Sequence, residues 1–281
     1  MRRAVVGLFG LLLLAPAVSR AQTAPPAMAR VTFDVGQPAD SPDDPQPPIA
    51  QEPKPTRNFF SALVHNIGDD FKHMPRRNSA YWLAGGALAA LAVHPLDDNV
   101  HEHFLRTGGG NQGVWKAGEI IGETPTILGA SIATYIVGRS RQMPRVQHLG
   151  MDELESGLLA EGLVNVVKVI GRRKRPLMAD GTRASGFSFP SGHSTITFAA
   201  ATVLQQHLGY KAAIPTYAIA TYVAASRLND NVHWTSDVVM GAALGVMIGR
   251  SVTWHGRNFY ASPMLLPHGG TGIAIAVPTT F

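Results

Sequence analysis

Six stretches of helix length, at about 79–93, 113–137, 154–171, 194–208, 212–226 and 238–252, are rich in Ala, Leu, Val and Gly and alternate with polar junctions bearing Gly or Pro. Apolar residues at helical spacing oblige each stretch to bury a face, and the junctions are where the chain must turn. The pattern predicts an all-α fold, a helical bundle of about six core helices. The tail TGIAIAVPTTF reads differently, as a short extended appendage containing a terminal strand.

Hydrophobic residues make up 45% of the chain and charged residues only 15%, against roughly 25% charged in an average soluble domain. Such a balance fits a tightly buried helical protein or a membrane-associated one. The longest stretches free of charge, Thr124–Gly138 and Ala212–Ser226, would make helices of about 22 Å, short of the ~30 Å hydrocarbon core. Were all six helices to span a bilayer after export of the N-terminus, the junction between the third and fourth would face the cytoplasm. The expectation is therefore an exported globular helical domain, periplasmic or otherwise extracytoplasmic, with contact to a membrane surface left open.

Export is read from the first residues: Arg2 and Arg3 precede the apolar run Ala4 to Val18, and Ser19-Arg20-Ala21 places small residues where a signal peptidase inspects. Residues 1–21 are expected to be a signal peptide and 22–58, rich in Pro, Asp and Gln, a disordered linker. Residues 59–281 would form one domain, with its core at about 80–252. Removing 1–21 lowers Lys+Arg from 24 to 21 against 19 Asp+Glu, so the formal charge falls from +5 to +2 and argues against a nucleic-acid partner. The absence of cysteine excludes disulfides, thiol catalysis and cysteine-bound metal.

Three junctions carry the chemistry. The first, at the end of the third apolar stretch, holds Lys168 and, seven residues on, Arg175 followed by Pro176; the second is Pro190-Ser191-Gly192-His193; the third holds Arg227, His233 and Asp237. A Ser-Gly turn opening a helix aims unpaired N–H groups and the positive end of the helix dipole at an anion. Lys168, Arg175 and Arg227 can surround that anion, the arginines with forked hydrogen bonds that match phosphate oxygens. A phosphoryl group in displacement gathers charge on its equatorial oxygens, so such a cradle serves the transition state. One histidine can attack phosphorus while the other protonates the leaving oxygen. If a helix begins around His233, residues four apart share a face and Asp237 can reach one ring nitrogen; that leaves the other free to attack, which favours His233 as the nucleophile.

Read as K-x6-R-P, P-S-G-H and S-R-x5-H-x3-D, the three junctions resemble, in order and spacing, the signature motifs of the type 2 phosphatidic acid phosphatase and vanadium haloperoxidase superfamily. The resemblance covers roughly residues 80–252. It implies a helical bundle that hydrolyses phosphate esters through a phosphohistidine, with no metal and no cofactor in the phosphatase branch. It also implies that Lys168, Arg175, Ser191, Gly192 and Arg227 bind phosphate, that His193 is the leaving-group acid, and that His233 attacks with Asp237 as its partner. The expected activity is a phosphomonoesterase acting on a lipid phosphate or a soluble organic phosphate. A vanadate-dependent haloperoxidase and a non-catalytic phospholipid-binding membrane protein are the alternatives. Oligomeric state is not legible.

Other features have blander readings. Arg172, Arg173 and Lys174 are expected to be solvated charges or to touch anionic lipid heads. His94, His101 and His103 lack the spacing of a metal site. Glu119 and Glu123 are read as helix-end or polar contacts, and Trp234 as packing or as a substrate neighbour.

Overall fold

The computed structural model describes residues 59–107, 112–253, 260–265 and 271–276. Its α-helices are α1 (Phe59–His73), α2 (Arg77–Val93), α3 (Asp97–Thr107), α4 (Gln112–Ile121), α5 (Thr124–Ser140), α6 (Pro144–Gly171), α7 (Gly192–Leu208), α8 (Tyr210–Asn229) and α9 (Thr235–Val252). A short 3-10 turn, His94–Leu96, joins α2 to α3. Strands β1 (Tyr260–Leu265) and β2 (Thr271–Ala276) pair antiparallel, so the tail forms a hairpin where one terminal strand was expected. The expected signal peptide and linker lie outside the described residues.

The helical expectation holds, with three differences. The stretch at 113–137 is broken: α4 and α5 meet at a 58° bend, where Pro125 opens α5 in the first-turn position a proline favours. Helix α6 begins at Pro144, ten residues before the expected start, because Asp152, Glu153, Glu155 and Ser156 are buried inside the bundle and hid the apolar period. Helices α1 and α3 were not anticipated.

Helix α9 is the central element, buried along nearly its whole length and packed against α2, α6 and α7. Ile196 and Val203 of α7 and Val238, Val239, Ile248 and Val252 of α9 are fully buried. The α7–α9 crossing is unusually close. A methyl group added at Gly241, Gly245 or Gly249 would stand 2.6 Å from Ser191 O, 2.3 Å from Thr195 O or 2.7 Å from Ala199 O, respectively. These glycines let the two backbones touch, and the contact is fixed at one end by Ser191 N donating to Asp237 O at 3.0 Å. The second and third motifs therefore meet because the helices that carry them meet.

The outer surface keeps many large apolar side chains. Phe60, Val64 and Phe71 of α1, Tyr81, Leu88 and Leu91 of α2, Ile132 and Ile136 of α5, and Tyr210 and Ile214 of α8 are exposed. The helical stretch Arg77–Thr107 is long and apolar enough to cross a bilayer, by length and composition alone.

Candidate active site

At the end of α6 the residue Arg172 adopts a left-handed conformation (φ 44°), which stops the helix. The chain beyond it is extended, so successive side chains point to opposite sides. Arg173 and Arg175 turn inward while Arg172 and Lys174 stay exposed. Arg175 reaches the third motif, donating from Nη1 to Val232 O at 2.8 Å and to His233 Nε2 at 3.3 Å.

One cavity of about 310 Å³ is lined by Lys168, Arg175, Gly192, His193, Arg227 and His233, together with Thr124, Glu161, Val164, Ala184, Ser185 and Val232. Six of the eight residues singled out from the three motifs thus share one wall. The other two stand behind it. Ser191 is the N-cap of α7, its hydroxyl accepting from Ser194 N at 3.5 Å. Asp237 is fully buried, accepts from Trp234 N at 2.9 Å with Oδ2, and holds the same oxygen 3.5 Å from His233 Nδ1.

The electrostatics follow from burial beside cations. Burial, opposed by Asp237 but reinforced by Arg175, lowers the His233 pKa to about 4, so the ring is neutral at pH 7. With Nε2 accepting from Arg175 and Nδ1 turned to Asp237, the proton belongs on Nδ1 and Nε2 carries the lone pair, held by Arg175 in the free protein. Burial, then Arg227 and His233, lower His193 to about 3. Lys168, Arg175 and Arg227 are all shifted down, first by burial. Arg175 Nε and His193 Nε2 are buried without a hydrogen-bond partner among the described residues. Crowded cations and orphaned polar atoms in one cavity are the signature of a site built for an anion.

Three participants were not foreseen. Arg173, expected at the surface, donates to Asp237 Oδ1 at 2.6 Å, to Ser236 Oγ at 2.7 Å and to Asp97 Oδ2 at 2.7 Å. Asp97, at the start of α3, is itself buried and also accepts from Ser236 N at 2.9 Å and Ser236 Oγ at 2.6 Å. Asp97, Arg173 and Asp237 thus form a buried relay that ends on His233. The third is Glu161 in the cavity wall, its Oε2 accepting from Thr124 Oγ1 at 2.7 Å. No spacing rule ties Asp97 to Arg173 across 76 residues. The extended run after Arg172 was the one available signal, since alternation sends Arg173 to the same side as Arg175.

The remaining sequence features are local. Trp234 donates from Nε1 to Lys174 O at 2.9 Å and lies under the Arg173 guanidinium, a packing role. His94 Nδ1 stands 2.7 Å from Asp97 Oδ2 and His101 Nδ1 2.9 Å from Asn231 Oδ1. Glu119 pairs with Lys116 at 2.6 Å, and Glu123 occupies the N-cap position of α5.

Residues 151–260 match the PAP2 superfamily model. Among particular relatives, a lipid A 1-phosphatase of Porphyromonas gingivalis is 34% identical over 195 residues, covering 67% of this chain and 41% of that protein. A decaprenylphosphoryl-5-phosphoribose phosphatase of Mycobacterium tuberculosis is 34% identical over 98 residues, or 34% of this chain and 54% of that protein. The chain thus spans about half, or less, of the length of these relatives. A solved PAP2-type phosphatidylglycerolphosphate phosphatase of Bacillus subtilis matches at 22% identity with a TM-score of 0.31, over 69% of this chain and 94% of that one.

Proposed function

We propose that this chain is a phosphomonoesterase that hydrolyses a lipid phosphate through a phosphohistidine on His233, without a metal. The observation that carries the reading is the single cavity in which Lys168, Arg175 and Arg227 face His193 and His233. Phosphate oxygens would take hydrogen bonds from Lys168 Nζ, both guanidinium groups and the amides of Gly192 and His193 at the α7 N-terminus. Ser191 supports this cradle by capping the helix.

In the first step His233 Nε2 forms a bond to phosphorus as the P–O bond to the alcohol breaks, and His193 gives its proton to the leaving oxygen. Asp237 stabilises the imidazolium that results. In the second step water attacks the phosphohistidine, His193 takes its proton, and inorganic phosphate leaves with His233 restored. A His193 pKa near 3 means the ring is neutral in the free protein at pH 7. The substrate must therefore bind as the monoanion and bring the proton, or bind as the dianion and raise the His193 pKa so that the ring takes a proton from solvent, which couples acid catalysis to occupancy.

A lipid substrate is favoured by the apolar outer surface. Val166, Val169 and Ile170, in the last turns of α6, are all exposed, Ile170 to 77%. Exposed apolar side chains of this kind suit contact with acyl or isoprenyl chains, with exposed Arg172 and Lys174 touching anionic headgroups. The names of the curated relatives, both phosphatases of lipid-linked phosphates, agree. We further propose an exported domain associated with a membrane surface, preceded by a signal peptide over 1–21 and a linker over 22–58.

The test is phosphate release by the purified chain from phosphatidate, an isoprenyl phosphate, lipid A and p-nitrophenyl phosphate, with EDTA present and with or without detergent. Turnover of the lipid esters in detergent at rates above the soluble ester supports the proposal. Turnover abolished by EDTA and restored by a divalent ion would refute the metal-free chemistry, and a preference for soluble esters would refute the lipid assignment.

A further inference from the structure

Far from the cavity, α6 and α7 bring together a second set of chemically competent side chains. His148 and Asp152 lie four apart on α6, and His207 comes from the last turn of α7. His207 Nε2 stands 2.8 Å from Asp152 Oδ2 and His148 Nε2 3.3 Å from Asp152 Oδ1. One donor atom from each residue lies within 4.8 Å of the other two. The imidazoles meet edge to face with centroids 5.2 Å apart. The carboxylate side chain is 1% exposed while the His148 and His207 side chains keep 25% and 17% of their surface, so the trio is closed behind and open at the rim. Along α6 and α7 its members lie roughly 21–30 Å from Lys168 and His193, at the other end of these helices.

We propose that His148, Asp152 and His207 form a site for a divalent transition cation of the Zn²⁺ type, with water as the fourth ligand. Two imidazoles with one carboxylate are the donor set of such an ion, whereas Mg²⁺ and Ca²⁺ take oxygens. Ligands on a tetrahedral Zn²⁺ stand about 3.3 Å from one another, against 2.8 and 3.3 Å from the two imidazoles to the carboxylate oxygens, so adjustment of the side chains would admit the ion. Both rings would bind as neutral imidazoles through Nε2; the proton each now directs from Nε2 at Asp152 moves through solvent to Nδ1, or is released to solvent where Nδ1 already carries one, and the ion takes its place. Its role is to tie α6 to α7. The trio does not touch the substrate cavity, so the inference stands or falls separately from the phosphatase reading.

The test is calorimetry and thermal unfolding of the full chain in detergent, stripped with EDTA, desalted, and titrated with ZnCl2, MgCl2 or CaCl2. One Zn²⁺ per chain is expected, bound at micromolar or tighter concentrations, with a saturable rise in unfolding temperature that Mg²⁺ and Ca²⁺ do not reproduce. His207→Gln keeps an amide donor for Asp152 but removes the ligand, and His148→Ala removes the other imidazole. Each should weaken Zn²⁺ binding at least tenfold and leave phosphate release in EDTA unchanged. Absence of a saturable Zn²⁺ site, or equal binding by the wild type and both variants, would overturn the proposal and leave the trio as a hydrogen-bonded clamp only.

Discussion

Replacing Arg173 by alanine tests whether the relay behind His233 matters. Its guanidinium joins two carboxylates, Asp97 at 2.7 Å and Asp237 at 2.6 Å, whose side chains are 4% and 0% exposed. Removing one partner of a buried ion pair costs about 3–5 kcal/mol. A quarter of the Arg173 side chain reaches solvent, so water can partly refill the gap, and about 2–4 kcal/mol is the better expectation. At about 2–4 °C per kcal/mol for a domain of this size, the melting temperature should drop by roughly 5–15 °C. Asp237 loses the partner that fixes Oδ1, so the His233 ring loses its aim. A misplacement of that kind lowers kcat on the order of 10- to 100-fold. KM should change little, because Arg173 does not line the cavity. Arg173→Lys should recover only part of the loss, since an ammonium cannot fork between two carboxylates. An alanine variant with wild-type melting temperature and kcat would refute the relay.

Three other outcomes are expected. His193→Ala should slow an alkyl phosphate about 10²- to 10⁴-fold, with a smaller loss in the first step for p-nitrophenyl phosphate, whose leaving group needs less protonation; burst kinetics separate the steps. Both active-site histidines are depressed in the fold, so an unfolded chain takes up protons that the folded one refuses as pH falls below about 6.5. Their contribution to stability is complete above that value and declines until His233 titrates near 4 and His193 near 3, a loss that denaturant titration across pH would follow. Gly245→Ala sets a methyl 2.3 Å from Thr195 O and must part α7 from α9, lowering stability by about 1–3 kcal/mol or more in thermal unfolding.

The motifs were legible because their chemistry depends on residue type at short spacing, as in K-x6-R-P, P-S-G-H and S-R-x5-H-x3-D. That Lys168, Arg175, His193, Arg227 and His233 share a cavity is a tertiary fact consistent with the motifs, and the Gly241–Gly245–Gly249 stripe that brings α7 onto α9 looked like ordinary apolar helix. Asp97 and Arg173 were hidden for opposite reasons. Asp97 sat in a polar stretch, DDNVHEH, that carried no motif, while Arg173 sat in a basic run whose common fate is solvation. The start of α6 was missed because buried polar side chains defeat a reading based on hydrophobic period.

The most direct measurement is a rapid alkaline quench of the chain during turnover of a phosphate-labelled lipid ester, followed by mapping of the labelled peptide. The account predicts acid-labile, alkali-stable phosphate on His233 alone, absent from His233→Asn and lost together with turnover. Label on another residue, or undiminished phosphate release by the His233→Asn chain, would contradict it.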